Sequence, residues 1–418
     1  MSLSSDLLAI AQRAQQSSVA LAATGGESRS AVIAAIAEAV RQKQDDILEA
    51  NTLDLEASRE MAVPELVLDW LKLTPERIHA TVRVLDRLSV SADPLHAETV
   101  SDSSVEHCDV YGSRTPVGTV ALVYESFPEL AAMTAGFCLR TGNVLLLKGG
   151  SEASQTNQVI TQIVQDCIVT ANLPQSCIQL IPSDWGDVQR ELVSLDHYVH
   201  LVIPYGRASL VQQVMKQSTA PVLRTSIGNC YLFWSITGNE DMVRHVILDS
   251  HESEPDPVNA LEKVLIHRGC SPGSLASLFA DLKAKGLNLK GDSELVSKFP
   301  GLSSTSDDEW NHSYLNKTVA FRLVDGLDEA ITWINQHSNG HADCIVTESY
   351  NESREFVTTL TSATVYINTS PRFYRYPKGG NPIALGMSSQ GSSNRGLIGL
   401  NTLTSIKRVV QGNSSLLP

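Results

Sequence analysis

The strongest constraint on the fold is a repeated alternation of apolar strands and helical segments in the middle of the chain. Four apolar runs, VGTVALVYE, NVLLLKGG, IQLIPS and HLVIPYG, each lead into a helical pattern. Runs that are apolar throughout are typical of strands buried on both faces, and their alternation with helices is typical of a doubly wound parallel sheet. A second alternating block begins near residue 236, with strand patterns at KVLIHR, KTVAFRLV, CIVTES and ATVYINTS. We therefore predict two doubly wound α/β domains.

The segments outside these blocks also show regular patterns. Residues 1–95 carry apolar positions at three- and four-residue spacing, which predicts helices, and LTPERI supplies a Thr cap followed by Pro. The stretch VEHCDVYGSRTPVGTVALVYE predicts two strands around a turn, and TLTSIKRVVQ predicts a final strand near the C-terminus.

Charge and composition exclude several classes of function. The 418 residues include 32 Lys plus Arg against 46 Asp plus Glu, for a net charge of -14. This balance argues against nucleic acid and anionic membranes as partners. No apolar run reaches the roughly eighteen residues of a membrane span. The seven cysteines are scattered without a CxxC pair, which indicates reduced thiols and a cytoplasmic protein.

One segment could suggest a metal site. HSNGHADC places His337, His341, Asp343 and Cys344 close together. The segment also leads into the strand CIVTES, whose successive side chains point to opposite faces. We therefore interpret it as a loop entering a strand and predict no metal.

Two strand-to-helix turns of the first block could bind an anion. The first turn consists of Lys148, Gly149, Gly150 and Ser151, and the second contains Gly206 and Arg207. Open α/β sheets bind ligands at the carboxyl ends of their strands, and helix N-termini offer free amides to phosphates. The residues alone leave two interpretations open: a nucleotide phosphate site, or glycines that only permit tight turns.

At these same residues the chain resembles a known family. The segments LVYESFPELAAMTAGFCLRTGNVLLLKGGSEASQTN, HLVIPYGRASL, QSTAPVLRTSIGNCYLF, NALEKVLIH, SATVYINTSPRF and NRGLIGLNTLTSIK resemble γ-glutamyl phosphate reductase (glutamate-5-semialdehyde dehydrogenase), of the aldehyde dehydrogenase superfamily. The similarity runs essentially end to end. It implies NADPH-dependent reduction of γ-glutamyl phosphate to glutamate semialdehyde, the second step of proline synthesis.

The resemblance also implies a domain organisation and an oligomer. We expect a nucleotide-binding domain at 1–236 with a projecting hairpin at 103–116, a catalytic domain at 237–384, and a return segment with an oligomerisation strand at 385–418. The hairpin and the returning strand are expected to pair across subunits, because a two-stranded arm is marginal alone. A homodimer or a multiple of it is therefore predicted.

The resemblance breaks at the residue that carries the family's chemistry. The family uses a cysteine in QRPSVCNAxE, whose thiolate displaces phosphate to give a thioacyl enzyme. The matching stretch here is SEPDPVNALE, which puts Val258 at the nucleophile position and keeps Asn259 beside it. An isopropyl group cannot attack an acyl phosphate. The approach to this position is DSHESEPD, which is acidic where the family is weakly basic.

Further ligand positions differ. The family's Arg in YEARP is Phe127, and its Lys in RGGKEA is Ser151. An Arg at the PRGG turn survives two positions later as Arg207, and a Glu assigned to the nicotinamide ribose falls on Ala384. The positions that the resemblance assigns to substrate are Tyr124, Phe127, Asn368 and Arg372. NADP binding is therefore expected to be weak or lost.

We weigh two hypotheses of function. In the first, the chain is a degenerate or repurposed homologue, folded and oligomeric, that serves as a regulatory partner of an active paralogue or as a sensor of a small molecule. In the second, the chain is a working glutamate-5-semialdehyde dehydrogenase that uses Cys230, Cys270 or direct hydride attack on the acyl phosphate. Loss of a covalent nucleophile costs on the order of a million-fold in turnover, which favours the first.

Overall fold

The computed structural model describes residues 5–96, 98–100, 108–185, 188–252, 256–376, 382–389 and 395–412. The helices in these ranges are α1 Ser5–Ala22, α2 Gly26–Gln42, α3 Gln44–Glu60, α4 Glu65–Leu71, α5 Pro75–Ser89, α6 Glu129–Arg140, α7 Ser154–Thr170, α8 Val188–Val193, α9 Ala208–Gln217, α10 Glu240–Ser250, α11 Pro272–Ala284, α12 Ser293–Lys298, α13 Leu327–His337 and α14 Tyr350–Thr359.

The strands in the same ranges are β1 Glu98–Val100, β2 Cys108–Pro116, β3 Thr119–Tyr124, β4 Val144–Gly149, β5 Ile178–Leu180, β6 Leu201–Tyr205, β7 Cys230–Trp234, β8 Leu261–His267, β9 Asn288–Gly291, β10 Ser303–Ser304, β11 Thr318–Val324, β12 Asp343–Val346, β13 Val365–Ile367, β14 Met387–Ser388, β15 Gly396–Leu397 and β16 Thr404–Gly412. The predicted alternation of strands and helices is confirmed in both blocks.

The chain divides into two compact units. The first consists of Met1–Leu223, Arg375–Leu385 and Ile398–Pro418, and the second of Arg224–Tyr374 and Gly386–Leu397. The first boundary therefore falls at Leu223 instead of the predicted 236, because β7 pairs with β8 and β12 of the second unit. The predicted return segment at 385–418 is likewise shared between the two units.

The first unit contains a parallel sheet covered by helices. Its strand order is β5-β4-β3-β6, and every residue of β3, β4 and β6 is buried. From β3 the chain adds β4 and β5 on one side and β6 on the other, so the direction of winding reverses between β3 and β6. Helix α5 begins as its sequence predicts: the Thr74 hydroxyl accepts the Arg77 N–H at 3.3 Å, and Pro75 occupies the first turn.

A second sheet of the first unit is antiparallel, in the order β1-β2-β16. Strand β2 does not pair with β3, although the sequence predicted two strands around one turn. It pairs with β16 over nine positions, from Pro116↔Thr404 to Cys108↔Gly412. This β2–β16 pairing lies within one chain. The predicted pairing of this sheet across subunits stays a prediction. Residues 103–107 of the predicted hairpin lie outside the described residues.

The second unit contains a parallel sheet in the order β10-β9-β11-β8-β7-β12-β13. Alternate residues of β7 face two different apolar cores. Leu232 and Trp234 pack into one core, whereas Tyr231 and Phe233 pack into the other. Burial on both faces explains why this strand is apolar throughout. The prediction of two doubly wound α/β domains is therefore confirmed.

None of the helices in the described ranges combines the length and the apolar character that crossing a bilayer requires.

Candidate functional site

The turn after β4 holds the first group of predicted ligand residues. Lys148 is 8% exposed, and its amine donates to the Gly149 carbonyl at 3.0 Å. Burial lowers the pKa of Lys148, although the carboxylates of Glu152 and Asp184 oppose this shift. Ser151 is exposed and begins the short 3-10 turn that leads into α7. The amine therefore bonds the backbone, and the charges that raise its pKa are those of carboxylates of its own chain.

Both glycines of this turn have a steric reason to be glycine. A Cβ at Gly149 would lie 2.2 Å from the amide nitrogen of Asn157, and a Cβ at Gly150 would lie 2.1 Å from the Glu152 carboxylate. Asn157 also accepts the hydroxyl of Tyr124 at 2.9 Å. The close approach of these two side chains gives the glycines a packing role, and their presence is not by itself evidence for a phosphate.

Beside this turn lies a cavity of about 520 Å³. Gly149 and Gly150 form one wall, polar residues of α7 including Asn157 form another, and the stretch that follows β5 supplies Ser183 and Asp184. The volume lies in the range of small-molecule pockets. This wall of α7 was not among the predicted ligand residues, although polar side chains recur along SQTNQVITQIVQ at helical spacing and indicate it.

The turn after β6 holds Gly206 and Arg207. The Arg207 guanidinium, 42% exposed, forms an ion pair with Glu125, with 2.8 Å between Nη2 and Oε2. Hydrogen bonding to this carboxylate raises the pKa of Arg207. The cation that the sequence assigned to a phosphate is thus paired with a carboxylate of the chain itself.

Two residues that the resemblance assigned to substrate are buried in the first unit. Tyr124 is 2% exposed and Phe127 is fully buried. The Phe127 ring stacks on Trp70 at 4.8 Å and meets Tyr205 edge-on at 5.4 Å. Ala384 is also buried, and its N–H donates to the Arg375 carbonyl at 3.4 Å. These side chains contribute packing, and their contact with substrate stays a prediction.

In the second unit, Val258 and Asn259 lie in the loop just before β8, which begins at Leu261. Val258 is fully buried, and its carbonyl accepts the His341 Nε2–H at 2.8 Å and the Gly228 N–H at 2.9 Å. The Asn259 amide donates to the Pro371 carbonyl at 2.8 Å. The loop is therefore fixed by hydrogen bonds, and the side chain at 258 offers no nucleophilic atom.

Close to this loop, Arg372 is paired with the acidic segment. Its Nη1 lies 3.1 Å from Asp249 and 3.1 Å from Glu252. Arg372 follows Pro371, the partner of Asn259, so the structure brings these predicted residues together. Asn368 is engaged elsewhere, because its amide group bonds the backbone N–H and carbonyl of Thr347 at 2.9 and 2.7 Å.

The thiols proposed as alternative nucleophiles lack an activated thiolate. Cys230 is fully buried beside His341, with 3.2 Å between Sγ and Nε2, and burial raises its pKa. Burial also raises the pKa of Cys270 to about 11. Reactive cysteines have a lowered pKa and partial exposure, and neither thiol meets both conditions.

The polar side chains of the HSNGHADC segment are engaged in hydrogen bonds within the chain. His341 donates to Val258, and Asp343 accepts the Tyr231 N–H at 2.7 Å and the Ser338 hydroxyl at 2.8 and 2.9 Å. Within the described ranges no group of three or more His, Cys, Asp or Glu side chains is arranged to hold a metal ion.

The fold agrees with comparisons to known proteins. Residues 3–228 match the aldehyde dehydrogenase family, which defines the class of protein. A crystal structure of γ-glutamyl phosphate reductase from Thermotoga maritima superposes with a TM-score of 0.89 at 29% identity, covering 99% of this chain and 100% of that one.

Sequence relatives define the family within that class. Gamma-glutamyl phosphate reductase 2 of Synechocystis sp. is 47% identical over 98% of this chain and 97% of its own length. Gamma-glutamyl phosphate reductase of Gloeobacter violaceus is 36% identical over 100% and 99%. This chain therefore belongs to the γ-glutamyl phosphate reductase family.

Proposed function

We propose that this chain is a family member that keeps the fold and a nucleotide cavity but does not reduce γ-glutamyl phosphate through a thioacyl intermediate. The observation that carries the proposal is Val258, a buried hydrocarbon side chain at the position where the resemblance places the nucleophile. The thioacyl route needs a thiolate there, because only a nucleophile can displace the phosphate of the acyl phosphate. The role that remains is regulatory: partner of an active paralogue, or sensor of a small molecule.

The environment of the predicted substrate residues supports this proposal. An anionic substrate needs a cation that is free to bind it, and Arg372 already pairs with Asp249 and Glu252. Both carboxylates belong to the acidic segment that distinguishes this chain from the family pattern. A phosphate or carboxylate of a substrate would have to displace them and would meet their negative charge.

The second hypothesis, a working reductase with another nucleophile, has less support. Cys230 has no exposed surface, and the Cys270 thiol is protonated near neutral pH because burial raises its pKa to about 11. Neither thiol lies on the loop that carries residue 258. Direct hydride transfer to the acyl phosphate would still need a cation to bind the substrate, and Arg372 is engaged.

The residues present fit one part of a nicotinamide dinucleotide and not the other. The cavity beside Gly149 and Gly150 has the size and the polar walls that a nucleoside needs. The pyrophosphate would need Arg207, which is paired with Glu125. A bound dinucleotide would supply hydride; this chain would hold its adenosine end in the cavity. NADP is therefore proposed to bind weakly.

Isothermal titration calorimetry with NADP and with 2′-phospho-ADP-ribose tests this proposal. We expect similar affinities for the two ligands, approaching the millimolar range, because each lost hydrogen bond to a charged or sugar group costs about 1 to 3 kcal/mol. Low-micromolar binding of NADP, much tighter than that of 2′-phospho-ADP-ribose, would contradict the proposal and favour an active reductase.

We also propose a cytoplasmic homodimer or a multiple of it. Strand β16 is the edge of its sheet in the described chain, and Ile406 and Val410 are 56% and 51% exposed on it. An exposed edge with apolar side chains needs a partner surface in water. Light scattering should therefore give at least twice the 45.3 kDa chain mass at micromolar concentration. A monomeric mass would contradict it.

A further inference from the structure

Glu125 lies at the point of the first unit where open α/β sheets take up ligands. It directly follows β3, and Gly206 and Arg207 directly follow β6, the neighbouring strand in the sheet. The winding of the sheet reverses between these two strands. The crevice outside the carboxyl ends of strands at such a reversal is the usual position of a nucleotide's phosphates.

The Glu125 carboxylate uses the donors that a phosphate would use there. Its Oε1 accepts the backbone N–H of Arg207, which caps α9, and also the guanidinium Nε at 3.1 Å. Its Oε2 accepts Nη2 at 2.8 Å and Nε at 3.0 Å. This fork of guanidinium and backbone donors is the arrangement that proteins use for bidentate recognition of anions.

The local backbone holds the carboxylate in this position. Glu125 is only 13% exposed, and the next two residues, Ser126 and Phe127, adopt left-handed φ values of 53° and 41°. Non-glycine residues rarely adopt this region, because it is strained. Gly206 has a φ of 146°, and a Cβ there would lie 2.4 Å from Cγ of Glu125. Gly206 thus makes room for the carboxylate.

A second carboxylate, that of Glu152, bonds the same loop after β3. Glu152 accepts the Ser126 N–H at 2.5 Å, and burial raises its pKa, with the charge of Glu125 as a further cause. Glu125 thus lies between the Arg207 guanidinium, with which it pairs, and the carboxylate of Glu152, whose own neighbouring cation is Lys148. A ligand phosphate that enters here meets two carboxylates beside the two cations.

We propose that Glu125 determines which ligands this site accepts, as an internal anion that competes with a ligand's phosphates for Arg207 and the N-terminus of α9. The inference rests on the proposed nucleotide cavity and adds its selectivity. Adenosine, which has no phosphate, does not meet this competition. ADP-ribose meets it at its pyrophosphate.

Calorimetry with adenosine and ADP-ribose tests the inference on the full-length protein and on three variants. Glu125→Gln removes the charge and keeps the shape, Glu125→Ala removes both, and Glu60→Gln is the matched control on the exposed end of α3. Circular dichroism and thermal melting establish that each variant is folded. If Glu125→Ala fails to fold, the Gln variant alone decides the result.

We expect Glu125→Gln to tighten ADP-ribose binding on the order of ten-fold while adenosine binding stays constant, because the negative charge that competes with the pyrophosphate for the same donors is removed. Glu60→Gln should change neither affinity, and the gain should disappear in a Glu125→Gln/Arg207→Gln double variant. Unchanged or weaker ADP-ribose binding in the folded Glu125 variants would overturn this inference alone. Absence of binding of either ligand to all proteins would overturn the nucleotide proposal as well.

Discussion

Replacement of His341 should change how the second unit responds to acid. The His341 side chain is fully buried, and its Nε2–H donates to the Val258 carbonyl at 2.8 Å. Burial lowers its pKa to about 4, against an ordinary value near 6.5 in the unfolded chain. Because the folded pKa is the lower one, the unfolded state binds the proton first as the pH falls.

The lowered pKa of His341 fixes the sign and the size of the change in stability with pH. The stabilisation from neutral His341 is fully present above about pH 6.5 and is lost progressively as the pH falls through about 4. The difference between the two pKa values corresponds to about 3 kcal/mol. Burial raises the pKa of neighbouring Asp343 to about 6, which acts in the opposite direction and is shared by wild type and variant.

Urea unfolding of wild type and His341→Gln between about pH 7 and pH 4 measures the effect. Trp234, Trp310 and Trp333 report on this unit by fluorescence. The stability advantage of the wild type over the variant should shrink by about 3 kcal/mol across this range. A control variant at the exposed His245, His245→Gln, should show no such change. An advantage that stays constant to within about 0.5 kcal/mol would refute the reasoning.

Two further predictions concern packing and ion pairs. Phe127→Arg should destabilise the first unit by about 3 to 5 kcal/mol, because the ring packs on Trp70 and a buried guanidinium would lack a partner. Phe127→Leu should cost less. A melting temperature of the Arg variant within about 2 °C of the wild type would contradict this prediction. Asp249→Asn should lower the free energy of unfolding by about 1 kcal/mol, and Glu252→Gln by less than about 0.5 kcal/mol. Both carboxylates lie 3.1 Å from Arg372, but Asp249 is 24% exposed and Glu252 is 66% exposed. Equal losses in urea unfolding would contradict this prediction.

The regular elements could be predicted because their signals are local. Neighbouring residues alone were enough to recognise the apolar runs of β3, β4 and β6 and the Thr74 cap of α5. The assignment of β7 to the second unit could not be read in this way. CYLFW is apolar throughout, and only its pairing with β8 and β12 decides which sheet it joins.

The state of the candidate sites depends on contacts that sequence spacing does not encode. Arg207 and Glu125 are 82 positions apart, and Arg372 and Asp249 are 123 positions apart. The resemblance identified both arginines as ligand residues, but only the folded chain brings a carboxylate to each. The polar wall along α7 is different, because its helical spacing is local and could have been predicted.

The turnover of purified protein tests the central claim most directly. Oxidation of glutamate semialdehyde with NADP in phosphate buffer is measured beside the γ-glutamyl phosphate reductase of Thermotoga maritima as the positive control. We predict no phosphate-dependent formation of NADPH, because loss of a covalent nucleophile costs on the order of a million-fold in turnover. Turnover comparable to the control enzyme, abolished by Cys230→Ser or Cys270→Ser, would contradict the claim and establish another nucleophile.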